Sequence, residues 1–200
     1  MALDNYSGLV ESVGAWLGKG TTLDDRIPDF IRLTESRLNK VLEDPEMEVT
    51  STSTTTGQYL GLPSDFGELR SISVGGYRLT EVTAADFSGY NTLAGNPSVY
   101  GIIDGQLGFY PNPSTGSAVT IVYIRRIPGL SGTNPTNWLL TLAPEAYLYG
   151  CLLVAELFGW NDERLPTIKA FYDDAVDTLR QDAVRRRLGA APLAPRIRRS

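Results

Sequence analysis

The sequence predicts an α+β protein: an antiparallel helical bundle built from both chain ends, an inserted antiparallel β domain, and an extended C-terminal arm. Three observations predict it. Apolar residues recur at helical spacing over residues 7–42 and again after residue 137. The stretch between is rich in Ser, Thr and Tyr and carries two-residue glycine turns. Two prolines, Pro192 and Pro195, forbid the last helix from continuing into a basic end. The expected boundaries are 1–44 with 128–188 for the bundle, 45–127 for the β domain and 189–200 for the arm. Neither half of the bundle has the apolar surface to form a core alone, so the two are expected to pack together.

The first helix is predicted over residues 7–17, with Ser7 as its N-cap and Leu9, Val10, Val13, Trp16 and Leu17 on one apolar face. Gly18 and its neighbours end it. The second is predicted over 25–42, with Pro28 in its first turn and Ile27, Ile31, Leu38 and Leu42 at helical spacing, until Pro45 stops it. Residues 50–56 are nearly all Ser and Thr, which favours strand. Met47 and Val49 begin an alternation there, and residues 58–63 are its expected hairpin partner across Gly57. Further strands are expected at 69–74, 77–79, 99–103, 106–110 and 119–125, with Gly75-Gly76 and Asp104-Gly105 as hairpin turns. Thr83 caps a short helix between them. Beyond Pro128 the helical signal returns: a short helix at 137–142, an all-round apolar and therefore buried one from about 143 to 160, and a long amphipathic one capped by Asp162.

Composition excludes more than it assigns. There is no histidine, the commonest general base and metal ligand, and no Gly-rich loop followed by Lys-Ser/Thr to cradle phosphate. Neighbouring acids such as Asp24-Asp25 and Asp173-Asp174 sit where caps and solvated helix faces put them. No enzymatic role, cofactor or metal is expected. Cys151 lies within the apolar helix and reads as a small core residue. The longest apolar stretch, 147–158, is broken by Gly150 and Glu156 and is too short to cross a bilayer, and no signal peptide is evident. The tyrosines at 59, 77, 90, 100, 110 and 123 read as strand formers with one polar end rather than a base-stacking platform, because few basic residues are interleaved with them. Trp138 beside Leu139 and Leu140 reads as an anchor of the bundle.

The net charge of −5 is uneven: residues 180–200 carry seven arginines and one acid, which leaves −11 on the remainder. Arg180 to Arg187 complement the dipole at a helix C-terminus. Arg196, Arg198 and Arg199 lie beyond that helix and need another explanation.

Several stretches together resemble the head-to-tail adaptor proteins of tailed bacteriophages. They are Tyr6-Ser7-Gly8-Leu9 with Trp16-Leu17, then Arg26-Ile27-Pro28-Asp29-Phe30-Ile31, then Tyr59-Leu60-Gly61-Leu62-Pro63-Ser64-Asp65-Phe66. They continue with Gly95-Asn96-Pro97-Ser98-Val99-Tyr100, Tyr110-Pro111-Asn112-Pro113, Asn134-Pro135-Thr136-Asn137-Trp138 and Ala143-Pro144-Glu145-Ala146-Tyr147. The resemblance covers roughly residues 6 to 175. It implies a structural virion protein of the neck region, assembled in the host cytoplasm. Such adaptors form a twelve-membered ring beneath the portal protein, extend the channel through which genomic DNA passes, and present a platform for the tail tube or nozzle protein. The helical part contacts the portal and the β part faces the tail. In the arm, Leu193 and Ile197 are the expected apolar anchors, and Arg196, Arg198 and Arg199 the expected partners of portal acids. A tail terminator or head-completion stopper is the alternative within the same class; a nucleic-acid-binding protein using the basic tail is the alternative outside it. No membrane partner is expected.

Overall fold

The computed structural model describes residues 3–18, 23–90, 93–159 and 163–188. The fold is mixed α+β, and the chain divides into two compact units: residues 1–46 with 127–200, and residues 47–126. The expected cap Asp162 and the expected arm, 189–200, lie outside the described residues.

The first unit is helical. Helix α1 spans Tyr6–Leu17. Its N-cap is Asn5 rather than the expected Ser7: the Asn5 side-chain oxygen accepts the Gly8 N–H at 2.9 Å, so the helix begins one residue earlier. It ends at Gly18, whose φ of 61° is the left-handed conformation that glycine adopts without strain. Helix α2 (Ile27–Val41) follows a 3-10 turn at Asp24–Arg26 and buries Ile27, Phe30, Ile31, Thr34, Glu35 and Leu38, a single stripe at 3.6 spacing. After the β unit come α4 (Trp138–Leu142), α5 (Pro144–Gly159) and α6 (Leu165–Leu188), with α3 (Ala84–Ser88) falling in the other unit. Asn137 caps α4 by accepting the Leu140 N–H at 2.8 Å.

Helix α5 is central and packs against α1, α2, α4 and α6. Its sequence is apolar on all sides, and Ala146, Tyr147, Leu148, Cys151, Leu152, Leu153 and Ala155 are buried. Gly150 lets α2 come close: a Cβ there would stand 2.4 Å from Thr34 Cγ2. Glu156, fully buried, forms an ion pair with Arg164 at 3.1 Å. Arg164 also donates to the Trp16 carbonyl at 3.3 Å, so one guanidinium links the end of α1 to α5. Trp16 itself, expected on the buried face of α1, is 48% exposed, because Leu9, Val13 and Leu17 at i, i+4 and i+8 take the core and leave it at the margin.

The second unit holds two four-stranded sheets. Strands β1 (Glu48–Thr54), β3 (Phe66–Val74), β4 (Tyr77–Arg78) and β8 (Ala118–Arg125) form one, in the order β1-β8-β3-β4. Strands β2 (Tyr59–Gly61), β5 (Thr80–Glu81), β6 (Val99–Ile103) and β7 (Gln106–Tyr110) form the other, in the order β2-β7-β6-β5. Side chains from both sheets, including Ile72, Val74, Leu107, Phe109, Val119 and Ile121, make one shared core.

Two expectations about this unit are corrected. β1 does not pair with β2 across Gly57; it pairs along its whole length with β8, from Glu48 with Ile124 to Thr54 with Ala118, while β2 pairs with β7. Thr55 steers the chain: its N–H bonds the Ser117 carbonyl at 2.9 Å and its hydroxyl the Ser114 carbonyl at 2.7 Å, so the strand stays docked on β8 beyond its end. The region is also not wholly antiparallel. β5 runs parallel to β6, because α3 (Ala84–Ser88) and its flanking loops supply the crossover that a parallel pair requires. The hairpins at Gly75-Gly76 and Asp104-Gly105 are present, with Val74 opposite Tyr77 and Ile103 opposite Gln106. Thr83 caps α3, whose buried Phe87 lies over Gly101 and Gly108. Those two glycines are cross-strand partners, and a Cβ on Gly108 would come within 2.8 Å of the Phe87 ring.

Candidate assembly surfaces

Among the described residues, no three His, Cys, Asp or Glu side chains gather as a metal site. Among the same residues, no helix is long and apolar enough to cross a membrane. Several buried polar groups of the helical unit are tied to the chain's own atoms. Glu35 Oε1 accepts the Leu130 N–H at 2.8 Å and the Tyr147 hydroxyl at 3.2 Å. The Tyr147 oxygen in turn accepts from Asn137 Nδ2 at 2.7 Å, and the same amide nitrogen donates to the Pro128 carbonyl at 2.7 Å. Asn39 accepts the Ile127 N–H at 2.7 Å. These bonds fix the loop from 127 to 137 onto α2 and α5, which is a structural duty rather than a reactive one. The Cys151 thiol is fully buried and pushed up to about 12, chiefly by burial, so it is poorly nucleophilic.

Glu35 gives a testable pH dependence. Burial raises its carboxyl above the ordinary 4.5, against the lowering effects of the Leu130 N–H, the Tyr147 hydroxyl and Arg32. The folded chain therefore holds this proton more tightly than the unfolded chain. The corresponding stability is fully present below the unfolded value and is lost as pH rises through the raised folded one. Glu35→Gln keeps an acceptor for both donors and cannot titrate. The difference in Tm between variant and wild type is expected to move in the variant's favour as pH rises from about 4 to 7. Calorimetry at stepped pH reads it, and a difference that stays constant across that range refutes the assignment.

The arginines at the end of α6 do more than complement a dipole. Arg186 donates to both oxygens of Asp44, at 3.1 and 2.6 Å, and the Asp44 side chain is 3% exposed. Arg180 donates to the Val41 carbonyl at 3.3 Å and Arg187 to the Glu43 carbonyl at 2.9 Å. The last turns of α6 thus fasten the end of α2. Nothing local marks this, because Asp44 and Arg186 are 142 residues apart. Leu193, Arg196, Ile197, Arg198 and Arg199 all fall outside the described residues, so the structure places none of them.

The helical unit also exposes two aromatic surfaces. In one, Tyr149 of α5 stacks on Phe171 of α6 with ring centres 5.3 Å apart, and Trp16 meets Tyr149 edge-on at 6.1 Å. In the other, Phe158 of α5 meets Phe30 of α2 at 5.9 Å. Phe158 and Leu33 are each more than half exposed there and line an open groove of about 550 Å³ with Arg26, Asp29 and Arg32. The tyrosines of the β unit divide: Tyr59, Tyr77 and Tyr90 are exposed, whereas Tyr100 and Tyr123 are buried. Tyr100 is in the core, with its hydroxyl pushed up to about 12 by burial and then by Glu81. Tyr123 stacks on Phe66 and donates to Asp65 at 2.9 Å, and Tyr90 stacks on Tyr110 at 4.3 Å.

In a comparison with known protein families, the family described as SU10 adaptor protein matches residues 4–196. No curated protein sequence matches the chain.

Proposed function

Because the chain belongs to the SU10 adaptor protein family of phage adaptors, we propose that it is the head-to-tail adaptor ring of a virion neck. The observation that carries this reading is the extent of the match, which takes in both units and nearly the whole sequence. As a structural adaptor it works through contacts with other head and tail components. In our reading, twelve copies sit below the portal protein, continue the DNA channel, and offer their far side to the tail tube or nozzle protein. The helical unit is an antiparallel bundle of both chain ends and meets the portal; the β unit meets the tail. A channel wall suits the charge distribution. Residues 1–179 carry −11, and a negative wall repels the phosphate backbone, so DNA slides without sticking.

The portal contact is assigned to residues 189–200, with Leu193 and Ile197 as apolar anchors and Arg196, Arg198 and Arg199 pairing with portal acids. Deleting 189–200 leaves every described helix whole, since α6 is described to Leu188. The truncated protein is expected to keep its helical circular dichroism and Tm while losing its ability to join portal-bearing heads. The mass of the wild-type complex on a purified portal gives the copy number. Normal joining by the truncated protein overturns the arm assignment, and failure of the wild type to bind portal at all overturns the adaptor position.

A further inference from the structure

We propose that the two aromatic surfaces of the helical unit are the two halves of one repeating contact between copies of this chain, with Arg32 of one copy facing Asp174 of the next. The proposal rests on the ring reading and names the surface that would build it.

The first support is placement. Tyr149 and Phe158 are nine residues apart on α5. At about 100° per residue that is two and a half turns, so the two rings leave the helix on opposite faces. One face carries Tyr149 with Trp16 and Phe171; the other carries Phe158 with Phe30 and Leu33. Two different apolar surfaces on opposite faces of one helix cannot both be satisfied by a two-fold dimer using a single patch. They are satisfied together when each copy offers one face forward and the other backward, which is the head-to-tail arrangement that closes into rings.

The second support is composition of the surfaces. Trp16, Phe171, Leu33 and Phe158 are 48%, 52%, 56% and 57% exposed, although polar positions were available on every helix involved. Large side chains of this kind, gathered rather than scattered, mark contact sites.

The third support is charge. Arg32 lines the Phe158 groove, beside Leu33. Asp174 is exposed and lies three residues after Phe171, on the same side of α6. Among the described residues neither has an ion-pair partner within 4 Å, whereas their neighbours are matched: Arg26 with Asp29, Lys169 with Asp173, Arg180 with Asp177. One surface therefore presents a cation outside any ion pair, although its charge also acts on Glu35, and the other an acid outside any ion pair, each at the edge of an aromatic cluster. Opposed charges at an interface set register and exclude the reversed pairing.

Charge reversal in the full-length chain tests this. Arg32→Asp and Asp174→Arg each place like charges face to face. Each is expected to lower the number of copies gathered on a purified portal, or the self-association constant in sedimentation, by at least about tenfold. The double variant restores the pairing with the signs exchanged and is expected to recover most of the loss. A second measurement does not depend on charge. Leu33→Cys with Phe171→Cys in one chain is expected to give, on oxidation, a ladder of covalent multimers, and the variants with one added cysteine none, the native Cys151 being buried. Recovery in the double variant together with the ladder supports the contact. Single variants that assemble normally, or a double variant that does not recover, overturn the contact while leaving the ring intact. Dimers from either variant with one added cysteine overturn it in favour of a two-fold pairing. A wild-type chain that forms no multimer on portal overturns the ring reading itself.

Discussion

Arg186→Ala is expected to lower the stability of the helical unit by about 3 kcal/mol. The loss comes from what remains. Asp44 is 2% exposed, and without the guanidinium it keeps the Glu46 N–H, at 2.9 Å, as a donor but loses its counter-charge. A carboxylate held in that state carries most of its desolvation penalty uncompensated. Arg186 is about one-third exposed, which keeps the figure at the lower end of the range for buried pairs. Asp44→Ala relieves the stranded charge and should cost less than Arg186→Ala. The double variant should then be more stable than the sum of the single losses requires, with a coupling of about 1.5 kcal/mol or more. Urea unfolding followed by tryptophan fluorescence reads this unit selectively, since Trp16, Trp138 and Trp160 all fall within residues 1–46 or 127–200. Additive losses would show that the pair is only a surface ornament.

Gly150→Ala is expected to destabilise by about 2 kcal/mol, against the usual direction of glycine-to-alanine changes inside helices. Helix propensity alone favours alanine by about 1 kcal/mol. The added methyl, however, would stand 2.4 Å from Thr34 Cγ2 and 3.1 Å from Tyr172 Cε2, and overpacking of that kind costs roughly 1–3 kcal/mol or more. The contact names its own remedy. Thr34→Ser deletes the clashing methyl and keeps the hydroxyl that donates to the Phe30 carbonyl at 2.8 Å and reaches Cys151 at 3.7 Å. The double variant should regain at least half of the loss in the same unfolding experiment. If Gly150→Ala proves neutral or stabilising, the approach of α2 to α5 is looser than described.

The sequence was most readable where structure is local. The stripe of Ile27, Ile31 and Leu38 foretold α2, and the two-residue glycine turns foretold two hairpins, because each depends on neighbours within a few positions. Strand pairing is different in kind. The Ser/Thr run of β1 carries no apolar alternation strong enough to name a partner, and its true partner β8 lies about seventy residues onward. The parallel step from β5 to β6 depends on where α3 lands, which no periodicity reports. The same limit applies to the surfaces. The arginines of α6 were visible as a charge run, but Asp44 as their anchor was not. Trp16 and Phe158 read as ordinary members of apolar helices until the fold showed them uncovered. Family resemblance filled part of that gap, because several short stretches in a fixed order carry information that no single stretch does.

The fastening of α6 to the end of α2 has a mechanical meaning. If the chain beyond Leu188 is gripped and pulled, tension enters a helix whose last described turns are held sideways by Arg180, Arg186 and Arg187. Those three attachments act in parallel, so the load is shared among them instead of peeling the helix open one turn at a time. Anchors arranged in shear resist such a pull better than anchors loaded one after another, and this helix has them among its last nine described residues.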